Sequence, residues 1–342
     1  MSNIPSSQVA IQVLSFGDPV EGLEVQHDRP VEEPREGQVL VKMHLAALNP
    51  SDVFTVKGQY PGVRAVLEKR TGFVPGLEGC GTVVRTGPSV SLSVGTRVAV
   101  FLEQTAGTWQ SFVTTEESQC FPVPEEMEDF VAAQLFVNPL SCLGMLRLIL
   151  DSSPVQENPW IVQTAANSTL GRMFIQMSKG FQLKTINIIR TSIEKDALLK
   201  LGADIVISLD EETDVMKKVK EITSGLGVAA ALDAVGGDIG TLALQLLGKN
   251  GLFIGYGRMS GEPIRVVNRQ LMYHGITIRG FWLSSFLQGK SKTELVHSVI
   301  DLWSQKCFAP SVEAIYTLDD FRTALKSQFT PNRKGKILFR LN

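Results

Sequence analysis

The chain has 342 residues and a mass of 37.4 kDa, which against roughly 100–200 residues per domain gives two domains and excludes one small module. Lys and Arg total 33 and Asp and Glu 35, a formal charge of -2, so bulk charge excludes a polyanion-binding protein and no nucleic-acid partner is expected. A hydrophobic fraction of 44% and a mean hydropathy of +0.09 provide for packed cores rather than disorder.

Residues 1–10 carry no Lys or Arg and no apolar signal-peptide core, so a cytoplasmic placement is expected. The first third then reads as short antiparallel β segments. Val39, Val41, Met43 and Leu45 alternate with partly polar neighbours, and Thr82–Val84 and Thr96–Phe101 follow Gly-containing turns. The most apolar window, Val131–Leu150, is broken by Gln134, Asn138, Pro139 and Arg147 and fails as a membrane span, so no membrane partner is expected.

From Trp160 the texture changes to alternating strand and helix patterns. Strands are expected at Trp160–Thr164, Thr185–Ile189, Asp204–Ile207, Ala229–Ala234, Gly251–Tyr256 and Ile276–Phe281. Helices are expected at Thr169–Lys179, Glu194–Leu201, Glu211–Thr223, Ile239–Leu247 and Lys292–Gln305. This alternation belongs to a doubly wound parallel sheet. The end turns β-rich again, with Ala314–Tyr316, a short helix over Asp319–Ser327 and the strand Lys336–Leu341. The fold class expected is therefore α/β, a Rossmann sheet over 129–308 inserted in a β-rich domain formed by 1–128 with 309–342. Ile276–Phe281 is a candidate edge strand for pairing with a second copy in a homodimer.

Cys80, Cys120, Cys142 and Cys307 stand apart with no CxxC, which excludes a disulfide framework and a Cys-rich zinc lobe. None of His27, His44, His274 and His297 forms a ligand-like pair in sequence, and no metal is expected.

The run Thr164–Gly171 joins a strand to a helix, where main-chain N–H groups and the helix N-terminus can hold a pyrophosphate. Asn167, Ser168, Thr169, Leu170 and Gly171 are the candidate contacts, although of the usual glycines only Gly171 is present and a small-residue packing turn reads the same way. About twenty residues on, a ribose-gripping acid is replaced by Arg190, followed by Thr191 and Ser192. A guanidinium beside hydroxyls suits a 2′-phosphate, so NADPH is the expected cofactor; the plain alternative is a solvated strand-end arginine.

Leu48-Asn49-Pro50-Ser51-Asp52, Pro75-Gly76-Leu77-Glu78-Gly79, Asn138-Pro139-Leu140 and Tyr256-Gly257-Arg258-Met259 together resemble the medium-chain dehydrogenase/reductase superfamily over nearly the whole chain. Within it, Gln163–Arg190, Asp233-Ala234-Val235-Gly236-Gly237 and Gly280-Phe281-Trp282-Leu283-Ser284 resemble the NADPH-dependent 2-enoyl thioester reductases, and less closely the zinc-free quinone reductases. The resemblance implies that the β-rich domain is GroES-like and catalytic. Where zinc dehydrogenases of the superfamily place Cys and His ligands, this chain has Asn49 and Leu77, which leaves Glu78 as a buried acceptor rather than a ligand.

Without a Lewis acid, reduction of an activated C=C is the natural chemistry, since the developing charge spreads over an enolate. Tyr60 stands at the spacing of the enoyl reductases' catalytic tyrosine, and a phenol with a reference pKa of about 10 stays protonated at neutral pH. The loop Val63–Phe73 after it, with Arg64, Lys69 and Arg70, departs from the family pattern. By resemblance Asn49 and Trp282 join Tyr60 in the catalytic set. Asn138, Tyr256, Gly257, Arg258, Met259, Phe281, Trp282, Leu283, Ser284 and Lys336 join the cofactor set. Phe281 and Trp282 serve equally as core, and Lys336 equally as an exposed lysine.

The expected function is NADPH-dependent, zinc-independent reduction of an activated C=C in a small-molecule or acyl-thioester substrate, by resemblance a 2-enoyl thioester, through hydride transfer to the β-carbon with Tyr60 as proton donor or enolate stabiliser. NADPH:quinone oxidoreduction and NADPH binding without catalysis stand as alternatives.

Overall fold

The computed structural model describes residues 4–60, 73–102, 107–155 and 159–341. In chain order these form β1 (Ser7–Val13), β2 (Leu23–Pro30), β3 (Gln38–Leu48), α1 (Pro50–Val56), β4 (Glu78–Thr86), β5 (Arg97–Phe101), β6 (Phe112–Glu116), β7 (Cys120–Pro122), α2 (Asp129–Ala132) and α3 (Val137–Ser152). The alternating segment continues with β8 (Trp160–Gln163), α4 (Thr169–Gly180), β9 (Lys184–Ile189), α5 (Lys195–Leu201), β10 (Ile205–Ser208), α6 (Val215–Ile222), β11 (Val228–Asp233), α7 (Gly237–Gln245), β12 (Leu247–Gly255), α8 (Asn268–His274), β13 (Thr277–Gly280), α9 (Leu283–Leu287) and α10 (Lys292–Ser304). The chain returns through β14 (Val312–Thr317), α11 (Phe321–Gln328) and β15 (Lys336–Arg340).

Two compact units result, Met1–Val137 with Pro310–Asn342, and Asn138–Ala309. The division falls after Val137, not at the expected 128/129, and at 309/310 rather than 308/309. The physical reason is visible at Glu78 of β4, whose Oε2 accepts the N–H groups of Phe136 and Val137 at 3.0 and 2.9 Å, so the segment after residue 128 is tied to the β-rich sheet.

In the β-rich unit the sheet order is β14-β15-β3-β4-β5-β7, with β6 also on β3, and β1-β2 form a separate pair. β14 and β15 run parallel; β15, β3, β4, β5 and β7 alternate in direction. The inward positions of β3, among them Val41, Met43 and Leu48, pack with Val98, Trp109 and Phe339. Trp109 sits edge-on to Phe339 at 5.0 Å and its indole N–H donates to the Ala47 carbonyl at 3.0 Å, so a large ring is buried without an orphaned donor.

The second unit holds a six-stranded sheet, β10-β9-β8-β11-β12-β13, with every neighbouring pair parallel. This order, reversing direction of growth at β8 and β11, is the doubly wound arrangement. Val162, Ile186, Ile188, Ala231 and Phe253 form its core, as fits strands buried on both faces. The apolar window is the helices α2 and α3; nearly every α3 position through Leu146 is buried, which erases the one-sided pattern by which a helix is recognised. No helix among the described residues is long and apolar enough to cross a membrane.

Candidate active site

In the second unit the turn after β8 opens α4 with Ser168 as its N-cap, the hydroxyl accepting the Gly171 N–H at 3.1 Å. The N–H groups of Thr169 and Leu170 have no intrahelical acceptor, being in the first turn, and this end of the helix favours an anion. A Cβ on Gly171 would lie 2.6 Å from the Ala166 carbonyl oxygen, so the turn is too tight for a side chain there. Asn167, Ser168, Thr169 and Leu170 are part-exposed around it, as a phosphate cradle requires.

The second expected segment is similarly placed. Arg190, at the end of β9, is exposed, and Thr191 and Ser192 are half-buried beside it. Asp210, just past β10, accepts the Ser192 N–H at 3.1 Å, and its hydrogen bond from the Ser208 hydroxyl holds its carboxyl below the usual range. The turn thus sets Arg190 close in sequence to two carboxylates that engage Ser192, those of Asp210 and Glu211, the second paired with Lys195.

Sequence reasoning missed the residue that joins these two segments. Arg172 on α4 donates to the Asn167 carbonyl at 3.1 Å and pairs with the buried carboxylate of Glu194, two residues past Ser192. It also missed the buried amide pair beneath them, in which Gln163 Nε2 donates to Asn187 Oδ1 at 2.7 Å and to the Gly171 carbonyl at 3.0 Å. A polar residue in each of two apolar strand runs was the available signal.

Asp233, at the end of β11, accepts from the Thr164 hydroxyl at 2.7 Å and from the N–H groups of Val235 and Gly236 at 3.0 and 2.9 Å, shaping the adjacent turn. Next to it a Cβ on Gly257 would meet the Ala234 carbonyl oxygen at 2.5 Å. The Tyr256 hydroxyl is buried and, among the described residues, has no hydrogen-bond partner; burial pushes its phenol well above the usual range. Arg258 and Met259 are exposed. These features fit a dinucleotide: a helix N-terminus, a close-approach turn and an unpaired buried donor. Asn138 is buried on α3. Phe281 is buried against Phe286, with Gly144 leaving room for its ring, so it is a core residue; Trp282 is 41% exposed, and Leu283 and Ser284 start α9 half-buried.

In the β-rich unit Asn49 follows β3 as the N-cap of α1 and precedes Pro50, the first residue of α1; the Asp52 carboxylate accepts the Asn49 main-chain N–H at 2.7 Å. The Asn49 side chain is used on both ends, donating to Glu78 Oε1 at 3.0 Å and accepting from the Lys336 ammonium. Lys336 is therefore not an exposed lysine: it is 2% exposed. Burial lowers its pKa to about 8 against the pull of Glu78, and burial raises that of Asp52 to about 7, with Glu78 adding to the rise. Tyr60 lies part-buried beyond α1; residues 61–72, with Arg64, Lys69 and Arg70, are outside the described residues.

A dehydrogenase zinc does not fit at Asn49, Leu77 and Glu78. The amide is saturated by Lys336 and Glu78, Leu77 offers no ligand atom, and both Glu78 oxygens are engaged. One expectation about metal ligands is corrected: His44 does meet partners of ligand type, Cys80 and Asp129, brought together across strands where spacing along the chain does not report it.

A profile described as an alcohol dehydrogenase GroES-like domain matches residues 35–125, and one described as a zinc-binding dehydrogenase matches residues 169–305. The mitochondrial enoyl-[acyl-carrier-protein] reductase of Dictyostelium discoideum is 31% identical over 97% of this chain and 95% of its own length. That of Arabidopsis thaliana is 36% identical over 77% of this chain and 69% of its own. A Bacillus thuringiensis structure assigned as an NADPH:quinone reductase superposes with a TM-score of 0.87 at 28% identity, covering 98% of this chain and 99% of the other. The curated relatives' mitochondrial location overturns the cytoplasmic placement drawn from residues 1–10, because lack of basic residues in one short stretch is no measure of compartment. On these matches the chain belongs to the medium-chain dehydrogenase/reductase superfamily and, within it, to the family of the enoyl-[acyl-carrier-protein] reductases.

Proposed function

We propose that this chain is an NADPH-dependent reductase of 2-enoyl thioesters that works without zinc in a mitochondrial setting. The observation that carries the reading is the Lys336–Asn49–Glu78 line, whose hydrogen bonds engage the Asn49 amide and the Glu78 carboxylate at positions that, by resemblance, answer to zinc ligands of the superfamily's dehydrogenases. Reduction of a ketone needs strong stabilisation of an alkoxide, whereas conjugate reduction leaves an enolate that neutral donors can hold. The names of both curated relatives support the substrate class, and Arg190 with its neighbouring hydroxyls supports NADPH over NADH.

Bound NADPH supplies the hydride for the substrate β-carbon. The Tyr60 hydroxyl donates to the developing enolate oxygen or delivers the α-proton. Asn167, Ser168, Thr169, Leu170 and Gly171 hold the pyrophosphate, and Arg190, Thr191 and Ser192 the 2′-phosphate. Asn138, Tyr256, Gly257, Arg258, Met259, Trp282, Leu283 and Ser284 complete the cofactor contacts. Lys336 acts by fixing the Asn49 amide, because its ammonium is already committed there.

We also propose a homodimer formed through β13. A second reading, NADPH:quinone reduction, draws support from the 28% identical Bacillus thuringiensis protein. Initial rates of NADPH oxidation with short and long 2-enoyl-CoA, with a quinone, and with each plus EDTA separate the two. Enoyl-CoA turnover insensitive to EDTA is expected; oxidation by quinone alone would put the second reading first, and loss of the initial rate in EDTA by the parent and by His44→Ala alike would remove zinc independence.

A further inference from the structure

β3 carries a bulge where it pairs with β4: Met43 stands opposite Gly81 and Leu45 opposite Cys80, so His44 is the extra residue between them. A bulge re-aims the side chain it inserts. Here it turns the His44 imidazole toward Cys80 on β4 and Asp129 on α2, and one ligand-type atom from each residue lies within 4.8 Å of the other two. Cys80 is buried, with its thiol donating to the Asp129 main-chain oxygen at 3.2 Å, while His44 and Asp129 are partly open to solvent and leave an entry path.

The groups around this trio fix where each donor stands. His44 Nδ1 donates to Asp129 Oδ2 at 2.8 Å and Nε2 lies 3.1 Å from the Thr82 hydroxyl; because that hydroxyl can also accept, it can hold the proton on Nε2 in the tautomer whose Nδ1 coordinates a metal ion. Arg97 donates to Asp129 Oδ1 at 2.8 Å, so the oxygen turned toward the imidazole is Oδ2, which a metal ion would take over from His44. The same guanidinium donates to the carbonyls of Glu125 and Met127 at 3.0 and 2.6 Å, so the segment delivering Asp129 is pinned beforehand.

We propose that His44 Nδ1, Cys80 Sγ and Asp129 Oδ2 form a binding site for one thiophilic divalent transition ion of the Zn²⁺ type, with water as the fourth ligand. One nitrogen, one sulfur and one carboxylate oxygen are the donor classes a tetrahedral zinc takes, and they exclude Mg²⁺ and Ca²⁺, which require oxygen. Tetrahedral donors stand roughly 3.3–3.6 Å apart, so closure asks for side-chain shifts of about 1 Å within the existing frame. On binding, the Cys80 S–H bond gives way to a sulfur–metal bond and its proton passes to solvent, while His44 loses its Nδ1 proton and takes one up on Nε2, facing the Thr82 hydroxyl; nothing is oxidised or reduced. The site is distinct from Asn49 and Glu78, and its role is to clamp α2 onto β3 and β4.

The test is a Co²⁺ titration of the chelator-stripped full chain, followed by absorption. The expected result is one equivalent bound, with a near-ultraviolet thiolate-to-cobalt band and intense visible bands of a tetrahedral ion, all displaced by Zn²⁺. Cys80→Ala and His44→Ala are each expected to abolish the thiolate band or the tetrahedral bands at one equivalent, while Cys120→Ala and Cys307→Ser retain both. Should Cys80→Ala fail to fold by circular dichroism, His44→Ala carries the same decision. Absence of the thiolate band from the parent protein, its persistence in Cys80→Ala, or weak six-coordinate bands would overturn the proposal.

Discussion

The Lys336 ammonium donates to Asn49 Oδ1 at the place where β15 runs antiparallel to β3, one step along the register from the Ile337–Leu48 pair. Sheet pairing alone thus brings a residue near the C-terminus to the start of α1. The Asn49 amide relays the contact to Glu78, whose second oxygen accepts the main-chain N–H groups that lead into α3. The result is one continuous polar line through an apolar core, and each member depends on the next for its hydrogen bonds.

Asp52 and Lys336 give this line a pH dependence whose sign follows from their shifts. Asp52 is raised from 3.8 to about 7, so its folded form holds a proton that the unfolded chain has lost; stability falls as pH rises from about 4 to 7. Lys336 is lowered from 10.5 to about 8, so the folded form has released a proton that the unfolded chain keeps; its term rises with pH from about 8 to 10.5. Their joint contribution is therefore smallest near pH 7–8. Urea unfolding at several pH values is expected to show Asp52→Asn losing the downward slope between pH 4 and 7, by up to about 1.4 kcal/mol per pH unit. Equal slopes in the parent and the variant would refute this.

Tyr60→Phe removes one hydroxyl and leaves the ring. If the phenol serves the enolate, kcat for enoyl-CoA is expected to fall by about 10²–10⁴-fold with NADPH affinity unchanged. Quinone reduction, which needs no such acid, should persist. An equal fall on both substrates would assign Tyr60 a packing role instead.

The repeating units were legible because each strand and helix announces itself by its own period: β8 to β12 and α4 to α7 begin or end close to where the alternation places them. α8 and α9, with seven and five residues, are too short for a period to show. The tight turn between β8 and α4 was legible as a run of small residues ending in Gly171. Arg172–Glu194, Lys336–Asn49 and His44–Asp129 were not, because each joins residues whose only relation is the fold. Lys336 illustrates the limit well: as a letter it is a surface residue, and only the β15–β3 pairing buries it.

Arg172 and Glu194 form the brace between the turn that opens α4 and the segment after Arg190. Removing one partner of a buried pair strands the other charge, at a cost of about 3–5 kcal/mol. Glu194→Gln, which keeps the shape and a hydrogen-bond acceptor, is expected to lower the melting temperature and raise KM for NADPH while leaving kcat at saturation near the parent value. A drop in kcat with KM unchanged would place the pair elsewhere in the mechanism.

At the neighbouring turn, Arg190→Ala forfeits a charge-assisted contact worth about 1.5–3 kcal/mol, a roughly 10- to 150-fold loss of NADPH affinity. NADH, which lacks the 2′-phosphate, should bind unchanged. Asp210→Asn is expected to act in the opposite direction, tightening NADPH by removing the anion at the Ser192 N–H. Fluorescence titration of both cofactors against both variants checks the pair of signs, and parallel losses for NADPH and NADH in Arg190→Ala would show that the guanidinium does not read the phosphate.

β13 is an edge of the six-stranded sheet, all four of its residues are exposed, and among the described residues no strand pairs with its outer side. An uncovered edge invites pairing with another edge. Beside it, Met272 and Tyr273 on α8 are 74% and 71% exposed, and Ile278 on the strand itself is 41% exposed, an apolar group that water disfavours. Pairing β13 with its copy about a two-fold axis would satisfy the free edge and cover these side chains in one step. Sedimentation equilibrium is therefore expected to give twice 37.4 kDa for the parent. Ile278→Pro, which removes an edge donor, and Tyr273→Glu, which sets like charges against each other across the axis, are each expected to shift the mass toward the monomer. A parent protein sedimenting as a single 37.4 kDa species, or a dimer indifferent to both changes, would remove β13 as the contact.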